Sequence, residues 1–173
     1  MLVYMNATDC KAAWDQVVST RSQLGSRNRS RLQSVNYQAC DEAEYVGCLG
    51  ERAVAKGFGV RYDAVRTYGD NRYDLRIGAL RIEVKSSARV QPRLFVELDS
   101  PTMCDVFVLV AGIDATQRDG QNVRLAGWVA RSAAMHRSNL TEFTWSKGRK
   151  YVVPSDQLNP FETLLEEASH EAK

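Results

Sequence analysis

Apolar and polar residues alternate through Tyr73-Asp74-Leu75-Arg76-Ile77 and again through Leu80-Arg81-Ile82-Glu83-Val84-Lys85, on either side of Gly78-Ala79. A period of two marks a strand. Two such runs joined by a glycine-first pair of residues predict a β-hairpin with a type II′ turn. The implied pairs are Ile77 with Leu80, Arg76 with Arg81, Leu75 with Ile82, and Asp74 with Glu83. Leu75, Ile77, Ile82 and Val84 then face a core, and Asp74, Glu83 and Lys85 share the other side.

The rest of the pattern predicts a single α/β unit without internal repeats. Residues 8–24 read as a helix capped by Thr8 or Asp9. Residues 41–56 read as a second helix, with Asp41 as N-cap, Glu44 as its capping-box acid and Gly57 as its stop. Strands are expected at 60–66, 73–77, 80–87 and 94–98, and the apolar run 106–110 reads as a buried strand. A strand at 123–130, a short helix opening at Ser132 and a short strand at 151–153 follow. A last helix begins at Asn159-Pro160 and places Phe161, Leu164, Leu165 and Ala168 on one side. Trp128, inside an apolar alternating run, is expected to pack in the core.

Composition narrows the class. A chain of 173 residues suits one domain with a real core. No apolar run approaches a membrane span, and Asp9 and Lys11 interrupt any leader-like pattern, so a cytoplasmic location is the expectation. Cys10, Cys40, Cys48 and Cys104 form no C-x-x-C pair and His136 lies far from His170, so no zinc signature exists and the cysteines read as reduced. The phosphate loop of nucleotide hydrolases and the nucleophile elbow of serine hydrolases are both missing.

The net charge of +2 does not by itself declare a nucleic-acid partner. Its distribution says more. Between Asp15 and Asp41 there is no acid, while Arg21, Arg27, Arg29 and Arg31 stand among Ser, Asn and Gln residues that also donate to phosphate oxygens. Lys147, Arg149 and Lys150 form a second basic group after Trp145, a side chain able to stack on a base. Both groups equally suit solvated connectors.

The hairpin acids demand an explanation. Like charges directly opposite on neighbouring strands lie about 4.5–5.5 Å apart and destabilise the sheet. A hard divalent cation would offset that repulsion, because Mg²⁺ is held by one or two carboxylates plus water and phosphate oxygens. Ordinary solvated surface is the alternative. On the second helix, Glu51 projects from a side made of Gly47, Val54 and Ala55, where a carboxylate needs a cation or donors unless it reaches solvent at the edge of that face.

Asp74 with Glu83-Val84-Lys85, preceded by Gly50-Glu51-Arg52-Ala53-Val54-Ala55 and Gly57-Phe58-Gly59-Val60, resembles the PD-(D/E)XK nuclease superfamily. The likeness spans residues 41–87 and weakens towards 110. It implies a restriction endonuclease-like core, with a central mixed β-sheet flanked by helices. Residues 1–40 would supply an N-terminal helix and Arg-rich loop, 41–153 the core, and 154–173 the last helix. The resemblance further implies a metal-dependent deoxyribonuclease in which Asp74, Glu83, Glu51 and the Val84 carbonyl hold Mg²⁺ or Mn²⁺ and Lys85 acts on the water and the transition state. Glu44 is the substitute for Glu51. DNA would be the partner, contacted by the basic residues above, and a homodimer cutting two strands is compatible with the pattern. A Holliday-junction resolvase and a non-catalytic nucleic-acid-binding protein on the same scaffold are the alternatives. One departure stands out: the family crosses to its fourth core strand through a substantial helix, and residues 88–104 carry little helical pattern.

Overall fold

The computed structural model describes residues 1–24, 37–65, 73–143 and 149–171. In chain order the elements are β1 (Leu2–Asn6), α1 (Ala7–Leu24), α2 (Tyr37–Gly57), α3 (Tyr62–Val65), β2 (Leu75–Ile77), β3 (Leu80–Ser87) and β4 (Arg93–Glu97). These are followed by β5 (Val106–Ala111), β6 (Gly120–Ala130), α4 (Arg131–Ala134), β7 (Leu140–Glu142), β8 (Arg149–Pro154) and α5 (Phe161–Glu171). The fold is α/β: a mixed five-stranded sheet in the order β1-β6-β5-β3-β2, with helices and a second, three-stranded sheet in the order β4-β8-β7.

Only β3 and β5 run parallel in the large sheet. The chain passes between them through β4 in the second sheet, so no helical crossover occurs. β5 explains its own uninterrupted apolar sequence, because both of its faces are covered. Val106, Val108 and Val110 join the core beneath α1, α2 and α5, whereas Phe107 and Leu109 join Leu94, Val96 and Val153 of the second sheet. Trp128 is buried and donates from its indole nitrogen to Thr163 Oγ1 at 2.9 Å, which ties α5 to β6. Phe161 and Leu164 are fully buried, and Leu165 packs against them, as the helical spacing of α5 predicts.

The hairpin register is the expected one at Leu75–Ile82, Arg76–Arg81 and Ile77–Leu80. Gly78 has φ of +62° and no non-glycine residue has positive φ among those described, as a II′ turn requires. Leu75, Ile82 and Val84 are buried, so the hairpin rests on a rigid apolar floor.

Several local expectations give way. Helix α1 is capped from Asn6, upstream of both Thr8 and Asp9: the Asp9 N–H donates to Asn6 Oδ1 (2.9 Å) and the Asn6 N–H to Asp9 Oδ2 (3.0 Å), a reciprocal capping box. Helix α2 begins at Tyr37, which places Asp41 and Glu44 inside it rather than at its start. Its stop is Gly59, at φ of +70°, with Val60 N–H bonded to the Ala55 carbonyl and Gly59 N–H to that of Lys56, a Schellman arrangement. Gly57 serves packing instead, since a Cβ there would collide with Leu125 and Met1. Of the strand expected at 60–66, the described part, up to Val65, forms the single turn α3 instead, because Tyr62 turns back beneath α2. Strands β1 and β7 carry no period-two signal that sets them apart, and form by pairing with β6 and β8.

Candidate functional site at the edge of the large sheet

Strand β2 is short, and this places Asp74. Its residue pairing with β3 ends at Leu75–Ile82. One residue earlier, the Asp74 N–H bonds to the Ile82 carbonyl at 2.9 Å, out of step with the ladder. The Asp74 carboxylate then takes the place that a longer β2 would occupy, accepting from the Val84 N–H at 2.7 Å through Oδ2. Asp74 is therefore not held directly opposite Glu83 as a ladder partner. It sits at the rim of β3, where side chains from both faces of the sheet can reach it.

Glu83 and Lys85, two residues apart on β3, project to one face. Lys85 Nζ lies 2.7 Å from Glu83 Oε1, and the Thr102 hydroxyl donates to Glu83 Oε2 at 3.3 Å. Thr102 is buried, so Glu83 is fixed from below as well as from its own strand. Nearby, burial pushes the Cys104 thiol up to about 11.

Glu51 arrives from the opposite face on α2. That helix lies close to β3 because Gly50 has no side chain: a Cβ there would collide with Ser86. Glu51 Oε2 accepts from the Tyr62 hydroxyl at 2.5 Å. Arg52, next to it, lies over the Tyr62 ring at 4.3 Å and reaches the Ala12 carbonyl and Gln16 of α1. Glu44 is exposed two helical turns away.

The charges communicate. Burial, then the carboxylates of Glu83 and Glu51, push the Asp74 carboxyl up to about 7, against the opposing pull of the Val84 N–H and the Lys85 ammonium. Crowded acids of this kind favour a cation. The donors are all oxygen, which suits a hard divalent ion. As the side chains stand, no group of three or more His, Cys, Asp or Glu converges to hold a metal among the described residues. Lys85 supplies the positive charge beside Glu83 instead.

Of the expected nucleic-acid contacts, Arg149 and Lys150 lie on β8, and Lys150 Nζ pairs with Glu97 at 2.7 Å. Arg21 belongs to α1, but its side chain is outside the described residues, as are Arg27, Arg29, Arg31 and Lys147 altogether. Gln91 and Arg93 are exposed around the start of β4. Sequence reasoning missed Tyr62 and Thr102. Neither carries a local signal, because each matters only through a partner brought to it by folding.

Among the described residues no helix is long and apolar enough to cross a membrane. No protein-family model, curated protein or solved structure matches this chain, so its chemistry is read from its own residues.

Proposed function

We propose that the protein is a divalent-metal-dependent deoxyribonuclease, built on a restriction endonuclease-like core, that hydrolyses DNA phosphodiester bonds at the edge of β3. The observation that carries this reading is the meeting of Asp74, Glu83 and Lys85 at that edge, with Glu51 near enough to raise the Asp74 carboxyl. Asp74, Glu83, Glu51 and the Val84 carbonyl would hold Mg²⁺ or Mn²⁺. A cation bound there lowers the pKa of a coordinated water and neutralises charge on the scissile phosphate.

The chain's own groups do the remaining work. Thr102 and Lys85 hold the two oxygens of the Glu83 carboxylate, and the acids would draw together from this arrangement to surround a cation. Asp74 must be ionised to serve, and this sets a pH threshold near 7 in the absence of a cation. When phosphate enters, the Lys85 ammonium stands beside the site and stabilises the extra negative charge that develops as water oxygen bonds to phosphorus and the phosphorus–oxygen ester bond breaks. The proton of the attacking water leaves to solvent or to a site carboxylate, and the departing alkoxide takes one up. DNA as the substrate is supported by the acid-free stretch bearing Arg21, Arg27, Arg29 and Arg31 and by the Lys147–Lys150 group.

The test is incubation of closed circular and linear DNA, single- and double-stranded, with Mg²⁺, Mn²⁺ or chelator. Metal-dependent cleavage, lost in Asp74→Asn, Glu83→Gln and Lys85→Ala, is expected. Full activity in all three variants, or binding without cleavage under every condition, would sink the assignment.

A further inference from the structure

Tyr62 belongs to no motif, yet it is one of the most constrained side chains near the site. It is 7% exposed. Its hydroxyl stands in a directed chain: Gln16 Nε2 donates to Tyr62 Oη at 3.4 Å, and Tyr62 Oη donates to Glu51 Oε2 at 2.5 Å. A separation of 2.5 Å is at the short end for a hydroxyl donating to a carboxylate, the strong, charge-assisted class of hydrogen bond. The Arg52 guanidinium over the ring, 4.3 Å from its centre, draws electron density from the phenol and strengthens it as a donor.

The consequence concerns which part of Glu51 meets the rim of β3. A carboxylate on a flexible side chain rotates between its oxygens and between rotamers, and ordering it costs free energy. Here one oxygen is committed to a buried phenol that is itself fixed by α1 and α2. We propose that Tyr62 is a positioning residue for Glu51: its hydroxyl holds Oε2 and so sets how that carboxylate meets a divalent cation beside Asp74. The proposal rests on the metal-site reading above and deepens it. It also gives Arg52 and Gln16 a purpose, since both contact the phenol. Among partners outside the ligand shell, such orienting groups commonly change metal affinity by about 10–100-fold.

The conservative variant Tyr62→Phe removes the hydroxyl and keeps the ring beneath Arg52. Calorimetric titration of Mn²⁺ and Mg²⁺ into the full chain, in the native form, Tyr62→Phe, Glu51→Gln and the double variant, separates the possibilities without relying on turnover. Thermal melting in chelator runs alongside. Expected is a roughly 10-fold loss of affinity in Tyr62→Phe with a melting temperature lowered by only a few degrees, and no further loss of affinity when Tyr62→Phe is added to Glu51→Gln, because the hydroxyl acts only through that carboxylate. Native-like affinity in Tyr62→Phe overturns the positioning role and leaves the metal site standing. So does a loss that adds in full to that of Glu51→Gln, or a lowered melting temperature with unchanged affinity. Failure of the native chain to bind either ion overturns the metal site and the proposal together.

Discussion

Two aspartates flank strand β3 and live in opposite electrostatic worlds. Asp105, just before β5, is met by three donors of Arg81: the backbone N–H at 2.8 Å, Nε at 3.0 Å and Nη2 at 2.5 Å. Those bonds hold its carboxyl below the ordinary range, with the Arg81 side chain the main cause. Asp74, which meets the opposite side of the same strand three residues further on, accepts from the Val84 N–H and is crowded by the carboxylates of Glu83 and Glu51, and burial together with those carboxylates raises its carboxyl to about 7. A satisfied acid fastens the fold. An acid crowded by other acids is costly to the fold and is worth keeping only if something else binds there. One strand thus carries a clasp on the side of β5, at Arg81, and a candidate site on the side of β2, around Glu83–Lys85.

The sharpest way to break that comparison is to neutralise each aspartate in turn. Asp74→Asn keeps an acceptor for the Val84 N–H and removes the charge, so metal-dependent DNA cleavage should fall by at least about 100-fold, with the fold retained. Asp105→Asn should leave cleavage within a few-fold of native. Gel assays on circular DNA with circular dichroism on both variants check this, and equal losses of activity would erase the distinction.

Stability against pH gives the next contrast, and the two signs are opposite. For Asp74 the folded carboxyl titrates higher than the unfolded one, so without a cation its contribution is fully present below the ordinary carboxylate value and is lost as pH rises through about 7. Asp74→Asn should therefore stabilise the metal-free protein at pH 8 by about 1–3 kcal/mol relative to native, an effect absent at pH 4, as denaturant titrations at the two pH values would show. Asp105 runs the other way. Its contribution is present above the ordinary carboxylate value and disappears as pH falls through its lowered one.

Divalent ions should reverse the Asp74 behaviour. Binding requires the ionised form, so Mg²⁺ affinity should rise about 10-fold per pH unit below pH 7 and level off above it, and the slope should vanish in Asp74→Asn. Calorimetry across pH 5.5 to 8.5, on the order of six titrations, is sufficient. The smallest effect belongs to the clasp: Arg81 and Asp105 are both partly exposed, so Arg81→Lys, which loses the two-pronged geometry, should lower stability only slightly in denaturant melts.

Much of the fold was legible before any coordinates. The hairpin register, β3 from Leu80 to Ser87, the buried β5 and the apolar side of α5 all follow from local periodicity. Other elements were not. β1 is a run of mostly apolar residues whose strand character comes from β6, some 120 positions away. The 60–66 segment alternates well enough for a strand, but Tyr62 gains more from turning under α2 towards Glu51 than from pairing at an edge.

The amino-acid sequence by itself determined which residues of the hairpin are acid, base and floor, because side chains alternate with a period fixed by the backbone. Only the tertiary structure decided how they meet. Asp74 leaves the ladder and takes the Val84 N–H because β2 is too short to reach it, and Glu51 comes within electrostatic range because Gly50 lets α2 lie against Ser86. Those relations join residues far apart in the chain, and a period along the chain holds no information about which distant neighbour will satisfy a buried charge.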